Sequence, residues 1–329
     1  MRFASMVFTT LRLLSRSFVY VSAALLLSLS AYGATGTLAS KSALSSMPSP
    51  KHCENVTVQI LGSGGPELDD NRASSAYLVW HNNTALALVD AGSGSSIQFG
   101  TANAAFDDLD IIVLSHLHTD HAADLPSFIK GSYFGSRTRN LPIIGPKGND
   151  LMPSTEHYVN ALMGEQGAFR YLSSYTQPKQ DDYTLIPISV TEPTFNYEVN
   201  PSLEVSAIDV DHGPIPALAW KINIEGCTIV FSGDTNDADA TLANFASNAD
   251  LLVLHNAINS NAGKVAKNLH MTPAQLIEIA LKSKAKRVVL SHIMKRSEKG
   301  LNALKNTIFA ATNHPVYAAQ DLMMIQLSE

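Results

Sequence analysis

Asp110-Ile111-Ile112-Val113-Leu114-Ser115-His116-Leu117-His118-Thr119-Asp120-His121 is the stretch on which the reading of this chain turns. Ile111 to Leu114 form a short apolar, β-branched run, the pattern of a buried strand. Three imidazoles and a carboxylate follow within six residues. On extended backbone, residues i and i+2 point the same way, so His116 and His118 can reach one metal ion together. Pro126 and the apolar run beyond it announce a helix, so the chain turns and sends Asp120 and His121 to a second point nearby. Imidazole nitrogens with carboxylate oxygens make a borderline donor set that suits zinc.

The same arrangement, an apolar strand with a ligand-type residue at its mouth, recurs down the chain. Val210-Asp211-His212-Gly213 follows a strand-like run, Ile229-Val230-Phe231-Ser232-Gly233-Asp234-Thr235 ends in a Gly-Asp turn, and Val288-Val289-Leu290-Ser291-His292 ends in histidine. Sites in layered α/β folds are built at strand ends in this way. Strands are expected over 56–61, 76–80, 86–89, 111–114, 203–208, 218–222, 228–231, 251–254 and 288–290. The turn residues His81-Asn82-Asn83 suggest hairpin pairing among the first three. Helices are expected over 125–133, 154–163, 238–246, 273–281 and 303–310. Thr272-Pro273-Ala274-Gln275 is a capping box with proline at the first helical position. Strand clusters mixed with strand–helix alternation mean an α/β protein, two sheets covered by helices.

Composition narrows the function. The chain has 329 residues, with 23 Lys+Arg against 29 Asp+Glu and a net charge of −6. That balance excludes a protein that coats nucleic acid, which needs a basic surplus. Two cysteines exclude a disulfide-dense scaffold and a four-thiolate metal site. Hydrophobic residues at 45% and a mean hydropathy of +0.04 exclude wholesale disorder. Arg2, Arg12 and Arg16 precede an apolar run from Phe18 to Leu29 and the small residues around Gly33, and no acid occurs before Glu54. This reads as a signal peptide over 1–33, cleaved after Gly33. The run is shorter than the roughly 20 residues a spanning helix needs, so no stable membrane anchor is expected after cleavage. A Ser-, Ala- and Pro-rich lead-in over 34–54 and a single folded domain over 55–329 complete the expected organisation, in a periplasmic or secreted protein. Loss of the three arginines takes the charge to −9. Cys53 and Cys227 are available for one disulfide, and the sequence leaves their pairing open.

His116-x-His118-x-Asp120-His121, followed in order by His212, Asp234 and His292, resembles the metallo-β-lactamase superfamily. Leu61-Gly62-Ser63-Gly64-Gly65-Pro66 with Arg72 and Ser74, Ile144-Gly145-Pro146-Lys147-Gly148, Leu269-His270-Met271-Thr272 and Leu290-Ser291-His292-Ile293 resemble motifs of its ribonuclease Z-like branch. The resemblance implies an αββα sandwich of two mixed sheets with outer helices, and two zinc ions per chain. His116, His118 and His212 would hold one ion, Asp120, His121 and His292 the other, and Asp234 would bridge them. Catalysis would fall to Asp120 and to His270, the latter as proton donor to the leaving group.

Two departures bear on substrate. Ribonuclease Z proper carries a long arm that grips tRNA between two strands where this chain has only Asn223 to Gly226. The branch tends to have His-Glu-Ala where this chain reads His255-Asn256-Ala257, so an amide replaces the glutamate that orients the proton-donating histidine. With its leader and without an arm, the chain is similar to the exported metallo-β-lactamase-type arylsulfatases. That implies an aryl sulfate ester as substrate, with a periplasmic phosphodiesterase acting on cyclic nucleotides or aryl phosphodiesters as the alternative. The partner expected is a small anionic ester and no nucleic acid; the oligomeric state stays open. Tyr133, Phe134, Tyr158, Phe169 and Tyr171, with Arg137, Arg139 and Arg170, are the residues from which substrate choice would come, core packing being the other reading of the aromatics.

Overall fold

From Val56 onward, alternate side chains take opposite sides: Val58 and Ile60 are buried in the central core, while Thr57 and Gln59 face the other way. The structure, a computed structural model, describes residues 52–178 and 183–328. The expected signal peptide and all but the last three residues of the lead-in lie outside the described residues. Sheet one contains β1 (Val56–Gly62), β2 (Ala76–His81), β3 (Thr84–Val89), β4 (Ile111–Val113), β5 (Leu141–Pro146) and β6 (Leu185–Val190). Sheet two contains β7 (Thr194–Asn200), β8 (Leu203–His212), β9 (Ile215–Ile224), β10 (Cys227–Phe231), β11 (Leu251–His255), β12 (Val288–Ser291) and β13 (Val316–Ala318). The last strand, β14 (Met324–Gln326), returns to pair antiparallel with β1. Sheet orders are β14-β1-β2-β3-β4-β5-β6 and β13-β12-β11-β10-β9-β8-β7. In each sheet antiparallel pairing gives way to parallel pairing, between β3 and β4 in one and between β10 and β11 in the other.

The helices are α1 (Ser95–Thr101), α2 (Thr119–Ala122), α3 (Leu125–Ser132), α4 (Thr155–Met163), α5 (Leu242–Phe245), α6 (Lys264–Leu269), α7 (Pro273–Ser283), α8 (Lys295–Glu298) and α9 (Leu301–Thr312). Val58, Tyr77, Val113, Val205, Trp220 and Phe231 meet between the sheets, and Leu276, Ile279 and Ile308 of α7 and α9 join the same cluster. A second cluster seats Leu125, Phe128 and Ile129 of α3 and Val159 and Met163 of α4 on Leu78, Leu88 and Ile112. The result is the expected layering of helix, sheet, sheet and helix. Among the described residues no helix is long and apolar enough to cross a membrane.

Local signals explain most elements. Asn82 and Asn83, at φ 51 and 62, make the tight β2–β3 turn. Thr272 and Gln275 cap α7 reciprocally, with Pro273 at its first position. Glu225 and Gly226, at φ 50 and 89, connect β9 directly to β10, so the interval that carries an arm elsewhere is a two-residue turn. The expected helix over 238–246 shrinks to α5, because Asp237 and Ala240 hold positive φ of 49 and 51. β5 escapes sequence reading because Pro142, Gly145 and Pro146 punctuate it; pairing with β4 and β6 overrides that local preference.

Cys53 and Cys227 form a disulfide across 174 residues, joining the start of β1 to the start of β10. Such a cross-link stabilises by about 2–5 kcal/mol. Replacing both cysteines by serine should lower Tm by roughly 5–15 °C in scanning calorimetry. An unchanged Tm would remove the disulfide from the stability of the fold.

Candidate metal centre

β4, β8, β10 and β12 deliver their ends to one rim. The exit of β4 is fixed first: Trp220 Nε1 donates to the Leu114 carbonyl at 3.0 Å, and the Leu218 amide to that of Ser115 at 2.8 Å. Asp90, which follows β3 at φ 59, accepts the Ser115 amide at 2.6 Å and the Ser115 hydroxyl at 2.8 Å. Its Oδ2 also lies 2.8 Å from His121 Nδ1, so one buried carboxylate orients both the strand exit and an imidazole.

Seven of the residues expected to bind metal converge here. His116 Nε2 stands 3.0 Å from His118 Nδ1, and with a ring nitrogen of His212 they fall within 4.8 Å of one another. On the other side, His292 Nε2 is 3.2 Å from Asp120 Oδ2, and His121 Nε2 is 3.6 Å from the same oxygen. Asp234 Oδ2 sits between the groups, 3.4 Å from His292 Nε2, 3.7 Å from His121 Nε2 and 3.9 Å from His212 Nε2. Its other oxygen, Oδ1, is taken by His255 Nδ1 at 2.8 Å. His255 Nε2 lies 3.0 Å from the Tyr77 hydroxyl, which is also 2.9 Å from Ser291 Oγ. Although His255 falls within ligand distance of His121, Asp234 and His292, both its ring nitrogens are engaged, so it positions Asp234 and is not itself a ligand.

The donors fit two divalent cations. His121 Nε2 and His212 Nε2 are buried with no hydrogen-bond partner, a cost of about 1–3 kcal/mol each unless something satisfies them. Both face Asp234 Oδ2 at distances too long for a hydrogen bond. Burial, reinforced by His121, holds His116 well below the usual imidazole range, so it presents the neutral form that binds metal. Burial opposes charge on Asp234 as well, yet His292 and His121 keep its carboxyl well below the usual carboxylate range. Burial likewise disfavours an imidazolium at His121, but Asp120, Asp90 and Asp234 override it and lift His121 well above its usual value. The carboxylates that draw a proton there draw a metal cation equally, and the two compete.

Glycine is required at two points of this rim. A Cβ on Gly65 would stand 2.7 Å from His292 Cε1, and one on Gly233, at φ +57, 2.8 Å from the Leu218 carbonyl. The glycine-rich loop after β1 therefore acts by pressing backbone against the His292 ring.

His270 follows α6, and its Nδ1 is buried 3.6 Å from Asp234 Oδ2. The preceding carbonyl, of Leu269, is 2.7 Å from His212 Nδ1. Burial first, then His292 and His212, press His270 down to about 3 despite Asp234. Asn256 is buried, but among the described residues neither its Nδ2 nor His270 Nδ1 has a hydrogen-bond partner, so the amide that replaces the branch's glutamate does not hold His270.

Two of the three arginines expected at the substrate, Arg137 and Arg139, are placed otherwise. Arg137 is buried and donates to the carbonyls of Leu109 at 2.5 Å and Asn140 at 3.0 Å, and Arg139 pairs with Asp110 at 2.8 Å. Both are engaged by the protein itself, Arg137 by backbone carbonyls and Arg139 by Asp110 and two carbonyls. Tyr158 donates to the Ala122 carbonyl, whereas Tyr133, Phe134 and Tyr171 are exposed around Lys130. Sequence reading missed Asp90 and Tyr77. Val89-Asp90 repeats the pattern of an apolar strand capped by a ligand-type residue, so Asp90 was within reach; Tyr77, inside a strand, carried no signal.

A four-layer α/β sandwich with a paired His/Asp cradle on its rim defines a metal-dependent hydrolase class, the metallo-β-lactamase fold. The beta-lactamase superfamily domain matches residues 87–293. The chain belongs to that superfamily, in its ribonuclease Z-like branch. It is 31% identical over 216 residues to the ribonuclease Z of Mycobacterium sp. (strain KMS), covering 64% of this chain and 72% of that one. With the ribonuclease Z of Methanosarcina mazei it shares 25% identity over 302 residues, 83% of this chain and 98% of the relative. The short form of human tRNase Z superposes at a TM-score of 0.63 with 20% identity, covering 83% and 100% of the two chains. YhfI of Bacillus subtilis, a metallo-β-lactamase fold protein, does so at 0.62 with 22% identity over 82% and 98%.

Asp234→Ala should lose both ions, whereas Asp90→Ala should weaken the one held by His121 by roughly 10–100-fold and the other, reached only through Ser115, by less. Competition with a chromogenic chelator measures both affinities. Equal weakening of the two sites in Asp90→Ala would contradict the assignment.

Proposed function

We propose that the chain is a dizinc hydrolase of small anionic aryl esters, with phosphodiesters as the preferred class. The observation that carries this reading is the setting of His270. It faces the metal cradle, but among the described residues no carboxylate other than Asp234 is within hydrogen-bond or ion-pair reach of it, and Asn256 leaves it unsupported. A histidine so placed can hydrogen-bond a departing oxygen but is poorly equipped to hold the charge of an imidazolium. The leaving group must then depart as a stable anion. Phenolate meets that demand, because its conjugate acid titrates near pH 10, far below an alcohol.

When bound, a pair of zinc ions makes water nucleophilic near neutral pH and clamps the oxygens of a tetrahedral anionic centre. This chain's residues supply the rest. Asp120, held at about 2 by His121 and His292 against the cost of burial, stays ionised and accepts a hydrogen bond from the attacking water. His255 holds Asp234 by its Oδ1, which leaves Oδ2 as the oxygen that would hold the ions. Relatives named ribonuclease Z favour a phosphodiester, and the two-residue β9–β10 turn favours a small one over tRNA. Aryl sulfates are the second reading, since a sulfate monoester presents the same singly charged tetrahedral centre. We also infer work outside the cytoplasm, a reading supported by the Cys53–Cys227 disulfide.

Turnover of bis-nitrophenyl phosphate, nitrophenyl sulfate, a cyclic nucleotide and precursor tRNA by the zinc-loaded protein tests the proposal. The diester should be turned over fastest and the tRNA left intact. Sulfate turnover below about a ten-thousandth of the diester rate would end the second reading. Efficient tRNA cleavage would overturn the first. His270→Ala should keep both ions and lose less than about tenfold in rate on nitrophenyl esters; a loss of about 10²–10⁴, the usual worth of a general acid, would sink the leaving-group argument.

A further inference from the structure

Thr57, Gln59 and Trp80 stand on the outer face of sheet one, on the side turned away from the central core. Thr57 and Trp80 are cross-strand partners of β1 and β2. Together with Asn55, Asn83 and Asn103 they line a cavity of ≈ 230 Å³ beside the end of α1. Among the described residues no charged side chain lines it, although the chain carries a net charge of −6. Gln59 is 5% exposed and its Oε1 has no hydrogen-bond partner, while its Nε2 reaches the Leu322 carbonyl only at 3.5 Å. Trp80 Nε1 is also buried without a partner. Buried amide and indole groups left unpaired are rare in native proteins and each calls for a reason. The asparagines hold φ of 57, 62 and 55, which fixes their amides at tight turns.

We propose that this cavity binds one ring of a neutral, polyhydroxylated ligand, a sugar. The uncharged lining gives an ionic ligand nothing to pair with. An apolar ligand would leave Gln59 Oε1 and Trp80 Nε1 unsatisfied. Carboxamides present donor and acceptor side by side, as vicinal hydroxyls do, and an indole offers an apolar face for ring C–H groups beside a polar N–H. The volume is below the roughly 300–1,000 Å³ of clefts for drug-sized ligands, so it takes a single ring. A turn of the Gln59 amide brings Oε1 to the ligand. Thr57 lies five residues, roughly 17 Å, along β1 from the loop that presses on His292. The site is therefore separate from the ester chemistry and tethers the chain to a glycan without engaging the metal rim.

The zinc-loaded full chain is titrated with glucose, galactose, mannose and N-acetylglucosamine, following tryptophan fluorescence and backbone amide NMR shifts. At least one sugar should give saturable shifts at Asn83 and Asn103 with a Kd of roughly 1–10 mM. Trp80→Ala and Gln59→Leu should each weaken it at least tenfold, with zinc content and ester turnover unchanged. If Trp80→Ala does not fold, the wild-type shift map decides: shifts confined to the outer face of sheet one support the site, and shifts at the metal rim overturn it. No saturable response to any of the four sugars, an affinity unchanged in both variants, or glycerol binding as tightly as the ring sugars would each overturn the proposal.

Discussion

One carboxylate, with its two oxygens committed in different directions, organises this protein. Asp234 offers Oδ2 to both halves of the cradle and yields Oδ1 to His255. Everything near it serves that division. Gly233 takes a left-handed backbone so that β10 can end where Asp234 must stand. Tyr77, from the opposite sheet, meets His255 and so sets the angle at which the ring grips the carboxylate. Without His255, Oδ1 would be free to turn toward the cradle beside Oδ2.

The imidazoles are held with comparable care from behind. Asp90 orients His121, and the Leu269 carbonyl orients His212. Such outer partners fix the tautomer and raise the basicity of a metal-binding histidine. They also link the cradle to the rest of the fold, because Asp90 binds the strand exit at Ser115 and Leu269 directly precedes His270. His270 and the carbonyl that orients His212 thus stand side by side at the end of α6.

Much of this was legible in the residues. The apolar strands ending in His116, His212, Asp234 and His292 were readable because a buried strand and a metal ligand leave separate signatures that happen to adjoin. The hairpin at Asn82-Asn83 and the cap at Thr272 were readable because turn and cap chemistry is local. β5, with its prolines, was not, since its strand state is imposed by neighbours distant in sequence. Nor were the jobs of Arg137 and Arg139, where composition suggests anion binding and packing assigns them to carbonyls and Asp110. Asn256 marks the same limit: a substitution in a motif is visible at once, but only the fold shows that the amide leaves His270 alone.

The cradle draws its donors from both sheets, His116 to His121 from sheet one and His212, Asp234 and His292 from sheet two. The disulfide joins those sheets at their other end, before β1 and at the start of β10. The sandwich is therefore built like a case with a covalent hinge at its base and an ionic latch at its lip. Emptying the cradle would undo only the latch, because the disulfide and the apolar core shared by the two sheets still hold the walls together.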